Sequence, residues 1–312
     1  MRNEHLSFYL NERHVEISAP PAALTLDLLR NRFSLFGTKE GCREGECGAC
    51  TVLLGCVESG RPVYRAVPSC LLPAAELTGA HLVTIEGMSV QGPSPLQNAF
   101  VEAGATQCGF CTPGFIMSLT GYLLAGRPLS IEGALDSIDG NICRCTGYAS
   151  IRRAVELLFA KLSLSGRTLG IGELAEKGLL PAFLPEIADR LLASEIGGGS
   201  AAIREGNEAT HLLDAEVRTV LAGGTDLYIQ RAGTLEEQEV IPVSRTGCMG
   251  PIEVREKTIR IPAATRVETL RRDPIMNREF PGFEKRLLVF ASTIVRNRAT
   301  LGGNIINASP IG

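Results

Sequence analysis

The sequence predicts an α+β chain of several domains. Three observations predict it. The 312 residues exceed one ordinary domain and suit two or three. The apolar period switches from two to about 3.6 near Ser94. A stretch rich in Gly, Pro and Ser (Ser163-Leu164-Ser165-Gly166, then Gly197-Gly198-Gly199-Ser200) separates the first half from the rest and reads as linker.

The elements follow in order. Leu6, Phe8 and Leu10 alternate, a polar turn follows at Asn11-Glu12, and Val15 and Ile17 resume the alternation, which predicts a β-hairpin. Thr25 to Phe33 has helical spacing. A loop dense in glycine and cysteine, Gly37 to Cys50, precedes the apolar run Thr51-Val52-Leu53-Leu54, a strand, and His81 to Ile85 is a further strand. These make a small α+β domain over residues 1–90. In 91–164, helices are predicted around Leu96, Ala99, Phe100 and Ala103, then over Phe115–Leu124, Ile131–Ile138 and Ile151–Leu162. Four short helices on tight loops predict an antiparallel bundle. Residues 165–209 are expected to be linker. A third region, 210–312, mixes strands (Thr219-Val220-Leu221, Ile259-Arg260-Ile261) with a helix from Val267 to Arg272.

With 45% hydrophobic and 21% charged residues, each domain can bury an ordinary core. A net charge of −3 and the absence of any Lys/Arg-rich run argue against nucleic acid as a partner. No apolar run reaches the ~18 residues of a membrane span. The first residues, Met1-Arg2-Asn3-Glu4-His5, lack the apolar core of a secretory signal, so the expected location is cytoplasmic. Thiols stay reduced there, and ten cysteines then point to metal. The four histidines, His5, His14, His81 and His211, show no paired ligand spacing and are expected to be ordinary surface or core residues, so metal chemistry would be thiolate-based.

Cys42-x4-Cys47-x2-Cys50 with Cys70 further on has the spacing of plant-type [2Fe–2S] ferredoxins. A loop that wraps an anionic core must bring its amides close and adopt positive φ angles; Gly37, Gly41, Gly45 and Gly48 supply that freedom. Four thiolates also suit zinc, but zinc ribbons present two short knuckles, whereas this loop places three ligands within nine residues. The second set is Cys108-x2-Cys111 with Cys143-x-Cys145. Cys-x-Cys is cramped for a zinc knuckle and is expected to place both thiolates on one iron. Helices starting beside each pair would turn positive dipole ends toward the site. Cys56 and Cys248 are left over and read as plain thiols.

The segments Gly37-Thr38-Lys39-Glu40-Gly41-Cys42-Arg43-Glu44-Gly45-Glu46-Cys47-Gly48-Ala49-Cys50-Thr51, Gln107-Cys108-Gly109-Phe110-Cys111-Thr112-Pro113-Gly114 and Asn141-Ile142-Cys143-Arg144-Cys145-Thr146-Gly147-Tyr148 together resemble the iron–sulfur part of the xanthine dehydrogenase family of molybdenum hydroxylases. The resemblance implies a β-grasp ferredoxin-like domain, a four-helix [2Fe–2S] bundle domain and part of an α+β FAD-binding domain, since the family pattern continues beyond Gly312. It implies that Cys108, Cys111, Cys143 and Cys145 hold the cluster nearest molybdopterin, with Gln107 and Cys145 touching the pterin of a large partner subunit. Cys42, Cys47, Cys50 and Cys70 would hold the flavin-side cluster. Leu221-Ala222-Gly223-Gly224-Thr225-Asp226 and Thr300-Leu301-Gly302-Gly303-Asn304 match its two pyrophosphate loops, in which glycines let amides approach phosphate.

The expected function is an electron-transfer subunit in a hetero-oligomer. It would pass electrons from the partner's molybdopterin centre, where hypoxanthine or xanthine is oxidised, through two clusters to FAD and then NAD. Two readings compete: the same role in an aldehyde, N-heterocycle or carbon monoxide dehydrogenase, and a zinc-stabilised module without redox activity. No catalytic residue is expected on this chain.

Overall fold

A computed structural model of the chain describes residues 3–89, 92–193, 219–231, 233–235, 238–243 and 250–309. His211, Cys248, the Gly197–Ser200 run and the Pro310–Gly312 end lie outside the described residues.

The first domain is a five-stranded sheet in the order β2-β1-β5-β3-β4. Strands β1 (Glu4–Leu10) and β2 (Arg13–Ala19) form the expected hairpin, with Phe8 opposite Val15. Asn11 takes the tight turn at φ 53°, a conformation that asparagine tolerates better than most residues. Strands β3 (Thr51–Glu58) and β4 (Arg61–Pro68) pair antiparallel, and β5 (His81–Val83) inserts between β1, to which it is parallel, and β3. The run Thr51–Leu54 is apolar throughout because both faces of the sheet are covered. Val52 and Leu54 join Leu6, Phe8, Leu29 and Leu77 on one side, while Leu53, Tyr64 and Val83 join the helical core on the other. The segment expected as one helix over Thr25–Phe33 is a single α-turn, α1 (Thr25–Asp27), continued as a π-turn over Leu28–Arg32.

All four predicted bundle helices are present: α2 (Pro95–Glu102), α3 (Thr112–Leu123), α4 (Ile131–Asp136) and α5 (Ala149–Leu162). Ser94 and Gln97 close a capping box on α2, with Pro95 in its first turn, a standard helix start. Helix α3 is buried from Gly114 to Leu123. It reaches β4 at Gly121, where an added Cβ would lie 2.9 Å from Ala66 Cβ.

The expected linker at 165–209 is corrected over its first part. Helices α6 (Ile171–Glu176) and α7 (Phe183–Ala193) occupy it. Leu184, Ile187, Ala188 and Leu191 are buried along α7, at the i, i+3, i+4, i+7 spacing of an amphipathic helix. Composition hid this, because Gly and Pro at the helix ends outweighed the periodicity between them.

The third region contains a parallel pair, β6 (Thr219–Leu221) with β7 (Val240–Pro242), and a hairpin, β8 (Glu253–Arg255) with β9 (Thr258–Arg260). The helix Val267–Arg272 lies where the sequence places it. Buried charges dock this region on the first two domains. Arg266 pairs with Glu58 at 2.6 Å. The fully buried Arg296 reaches Glu268 at 2.9 Å and Asp139 at 3.0 Å. Burial would raise the Glu58 carboxyl, but Arg266 and Arg65 outweigh it and hold it down to about 2. Among the described residues no helix is long and apolar enough to cross a membrane.

His81 is one of the ordinary core histidines expected. It is fully buried, with Nδ1 2.8 Å from Tyr64 Oη and Nε2 2.8 Å from the Asn11 carbonyl. Burial lowers its pKa to about 4 despite the carbonyl partner. The unfolded chain therefore binds a proton between about pH 6.5 and pH 4 that the folded chain refuses. The contribution is present above pH 6.5 and is lost as pH falls toward 4, and is worth up to about 3 kcal/mol. Urea unfolding measured from pH 7.5 down to 4.5 should show this slope, and a His81→Gln variant should lose most of it.

Candidate functional site

The loop between α1 and β3 is held open by charge and by glycine. Arg43, itself at φ 60°, pairs with Asp27 at 2.5 Å and with Glu40 at 2.6 Å. Gly45 and Gly48 follow at φ 76° and 66°. Within this loop Cys42 stands beside Cys47. Cys50, at the end of the loop, meets Cys70 from the turn after β4, and both are buried. Cys70 donates to Cys50, which lowers the Cys50 thiol to about 7; the same contact, with burial, pushes Cys70 far up. The Glu44 amide donates to Cys42 Sγ at 3.3 Å, and a Cβ on Gly41 would stand 2.8 Å from Cys47 Sγ.

The second set lies at helix starts, as expected: Cys111 caps α3, and Cys143 and Cys145 precede α5. The pairing differs from expectation. Cys145 Sγ lies 3.6 Å from Cys108 Sγ, and Cys143 is partnered by Cys111. The Cys-x-Cys thiols are thus split between the two pairs. Burial would raise Cys143, but the Thr146 hydroxyl (3.2 Å) and amide (3.5 Å), both donating to its sulfur, lower it. Burial and the Cys143 contact push Cys111 up to about 12. Tyr148 sits at φ 65°, and its hydroxyl accepts from the Cys143 amide at 3.0 Å. Neither Thr146 nor Tyr148 was singled out as a functional residue from the sequence. Their signal was adjacency to the Cys-x-Cys motif.

Among the described residues no group of three or more His, Cys, Asp or Glu is placed to hold a single metal ion. The thiols stand two by two instead, and four thiolates in two pairs match the two irons of a [2Fe–2S] core. Sulfur-directed amides and a hydroxyl complete an environment suited to an anionic cluster. Both cysteine sets therefore fit the group.

The two sets are in direct contact. The Ile142 amide, next to Cys143, donates to the Cys47 carbonyl at 3.0 Å, and Asn141 Nδ2 donates to the Gly48 carbonyl at 3.1 Å. A Cβ on Gly114 would fall 2.2 Å from the Gly48 oxygen, so only glycine lets α3 approach the cysteine loop. Beyond the first set, Leu221 and Tyr228 share a core cluster with Cys50, Cys70 and Leu71.

The two glycine loops lie side by side: a Cβ on Gly303 would be 3.8 Å from Ala222 Cβ. Arg298 donates to the Gly223 carbonyl at 2.9 Å. Gly224 adopts φ 76°, and among the described residues no backbone acceptor takes the amides of Gly223 to Asp226. This first loop fits a phosphate cradle. The second opens a helix, Leu301–Ile306, capped by Thr300 Oγ1, which accepts from Gly303. Its other early amides are also taken, Leu301 by Thr265, Gly302 by Ala263 and Asn304 by Thr300. Gln107, Cys108 and Cys145 are exposed at the opposite end of the array. Cys56 is an ordinary half-buried thiol, 3.4 Å from Glu58 Oε1, raised to about 11 mainly by burial.

Residues 8–74 match the 2Fe-2S iron-sulfur cluster binding domain family, 84–156 the [2Fe-2S] binding domain family, and 203–312 the FAD binding domain in molybdopterin dehydrogenase. The nicotinate dehydrogenase small FeS subunit of Eubacterium barkeri is 42% identical over 151 residues, which are 48% of this chain and 91% of that subunit. This chain belongs to the molybdenum hydroxylase family. Xanthine dehydrogenase of Blastobotrys adeninivorans is 46% identical over 152 residues, 47% of this chain but 11% of that protein. The chain thus spans a small part of the xanthine dehydrogenase it matches. Among solved structures, quinoline 2-oxidoreductase from Pseudomonas putida 86 is similar, with 32% identity, a TM-score of 0.45, and coverage of 52% of this chain and 97% of that one. As a molybdenum hydroxylase chain it carries two [2Fe–2S]-binding domains and an FAD-binding domain.

Proposed function

We propose that this chain is the electron-transfer subunit of a xanthine dehydrogenase-type molybdenum hydroxylase. It would work with a large molybdopterin-binding subunit on purines, hypoxanthine or xanthine, with NAD as acceptor. Cys108, Cys111, Cys143 and Cys145 hold one cluster, Cys42, Cys47, Cys50 and Cys70 the other, and Gly223 to Asp226 take the flavin pyrophosphate. Bound there, these groups supply one-electron chemistry that no side chain of the chain provides.

One observation carries the reading: the three sites form an unbroken line of contacts. Exposed Cys108 and Cys145 mark one end. Cys143 leads through the Ile142 amide to the Cys47 carbonyl. The chain after Cys70 leads to the flavin loop, where a Cβ on Gly224 would be 3.4 Å from the Leu71 oxygen. The residues' task is to fix these separations and to aim donors at the thiolates: Glu44 at Cys42, Thr146 at Cys143. Gln107 and Cys145 face outward, where a partner's pterin would meet them.

A second reading has support in the nicotinate dehydrogenase subunit among the relatives: an N-heterocycle other than a purine. The complex purified on this chain, assayed with NAD, decides. Turnover of xanthine supports the proposal, and turnover of nicotinate or an aldehyde with none of xanthine contradicts the purine assignment.

A further inference from the structure

A cleft of about 600 Å³ lies where all three domains meet, away from the cysteines and the flavin loops. Its walls are β4 (Val63 to Ala66), one face of α3 (Ser118, Gly121, Tyr122) and the helix Val267–Arg272 with the turn after it. The volume is that of a small-molecule site.

Its charges are not evenly matched. Arg65 is committed to Glu58 at 2.5 Å. Glu268 is shared by Arg271, Arg272 and Arg296, Glu284 is engaged by Arg272 and Arg271, and Asp273 caps the Met276 amide. Arg127 has no carboxylate partner among the described residues. Its guanidinium lies over the Tyr122 ring, 4.8 Å from the centroid, and its Nε is buried without an acceptor. One helical turn before Tyr122, on the same face of α3, the buried Ser118 Oγ also has no partner. Buried polar groups left unpaired each cost about 1–3 kcal/mol, and two unpaired groups in one cleft mark an absent acceptor. Burial and the positive charge of Arg272 bear on Arg127 as well, so an anion would relieve both.

We infer that this cleft binds a small organic carboxylate with a flat apolar body. The carboxylate would accept from Arg127 and Ser118. The body would rest against Val63, Ala66 and Pro274. Because the walls come from three domains, such a ligand binds only the docked arrangement and stabilises it.

The probe is benzoate, titrated calorimetrically into the full cluster-loaded chain, with inorganic phosphate as a second titrant. Saturable one-to-one benzoate binding is expected, weakened about tenfold or more in Arg127→Met, as loss of a charge-assisted pair requires. It should be weakened several-fold in Ser118→Ala. Thermal midpoint and visible absorption report whether each variant folds. If Arg127→Met does not, Arg127→Lys, which keeps charge without the planar fork, should still bind more weakly than the parent. Absence of benzoate binding, binding unchanged in the arginine variants, or binding of phosphate in its place would each overturn the proposal.

Discussion

Replacing Cys70 by alanine is expected to remove about half of the bound iron and half of the visible absorption, leaving the second cluster in place. Cys70 is 1% exposed and meets Cys50 inside the first domain. It therefore belongs to a pair buried on both sides, which no solvent ligand can reach. The second set shares no thiol with it: its pairs are Cys108 with Cys145 and Cys111 with Cys143. Cys111→Ala is the mirror experiment and should remove the other half. Iron analysis of the two variants and of the double variant checks this. Loss of all iron in either single variant would show that the two sets do not load independently.

Adding one methyl group at Gly114 should destabilise the chain by about 1–3 kcal/mol, the cost of overpacking a filled contact. In an open helix glycine to alanine gains about 1 kcal/mol. At Gly114 the new Cβ would meet the Gly48 carbonyl oxygen at 2.2 Å. That oxygen is also held by the Asn141 side chain and by Thr51, so it has nowhere to retreat. Gly172 supplies the opposite sign in the same protein: it lies in α6, and a Cβ there meets nothing within 4 Å. Gly172→Ala should therefore stabilise by up to about 1 kcal/mol. Urea midpoints of the two variants should move in opposite directions.

Much of this arrangement was legible in the sequence because its signals are local. Spacing of two or four residues between cysteines, a period switch at Ser94 and Gly-Gly turns are all read within a few residues. What could not be read is what depends on distant partners. Nothing local says that Cys145 reaches across to Cys108, since the choice of pair is made by the packing of α3 against the turn before α5. The Ile142 amide and the Cys47 carbonyl are backbone groups and leave no mark on residue type. Thr300-Leu301-Gly302-Gly303-Asn304 gives no local sign that it starts a helix whose first amides go to Thr265 and Ala263. The first part of the expected linker folded into α6 and α7 because leucines spaced for burial found the open face of the sheet.

We propose that eight thiols, in four pairs, hold two [2Fe–2S] clusters. The most direct test is metal and sulfide analysis of the purified full chain, together with electron paramagnetic resonance after reduction with dithionite. The expected result is a red-brown protein with iron and sulfide in equal amounts, visible absorption that bleaches on reduction, and two distinct signals from two non-equivalent clusters. A colourless protein carrying stoichiometric zinc would contradict it.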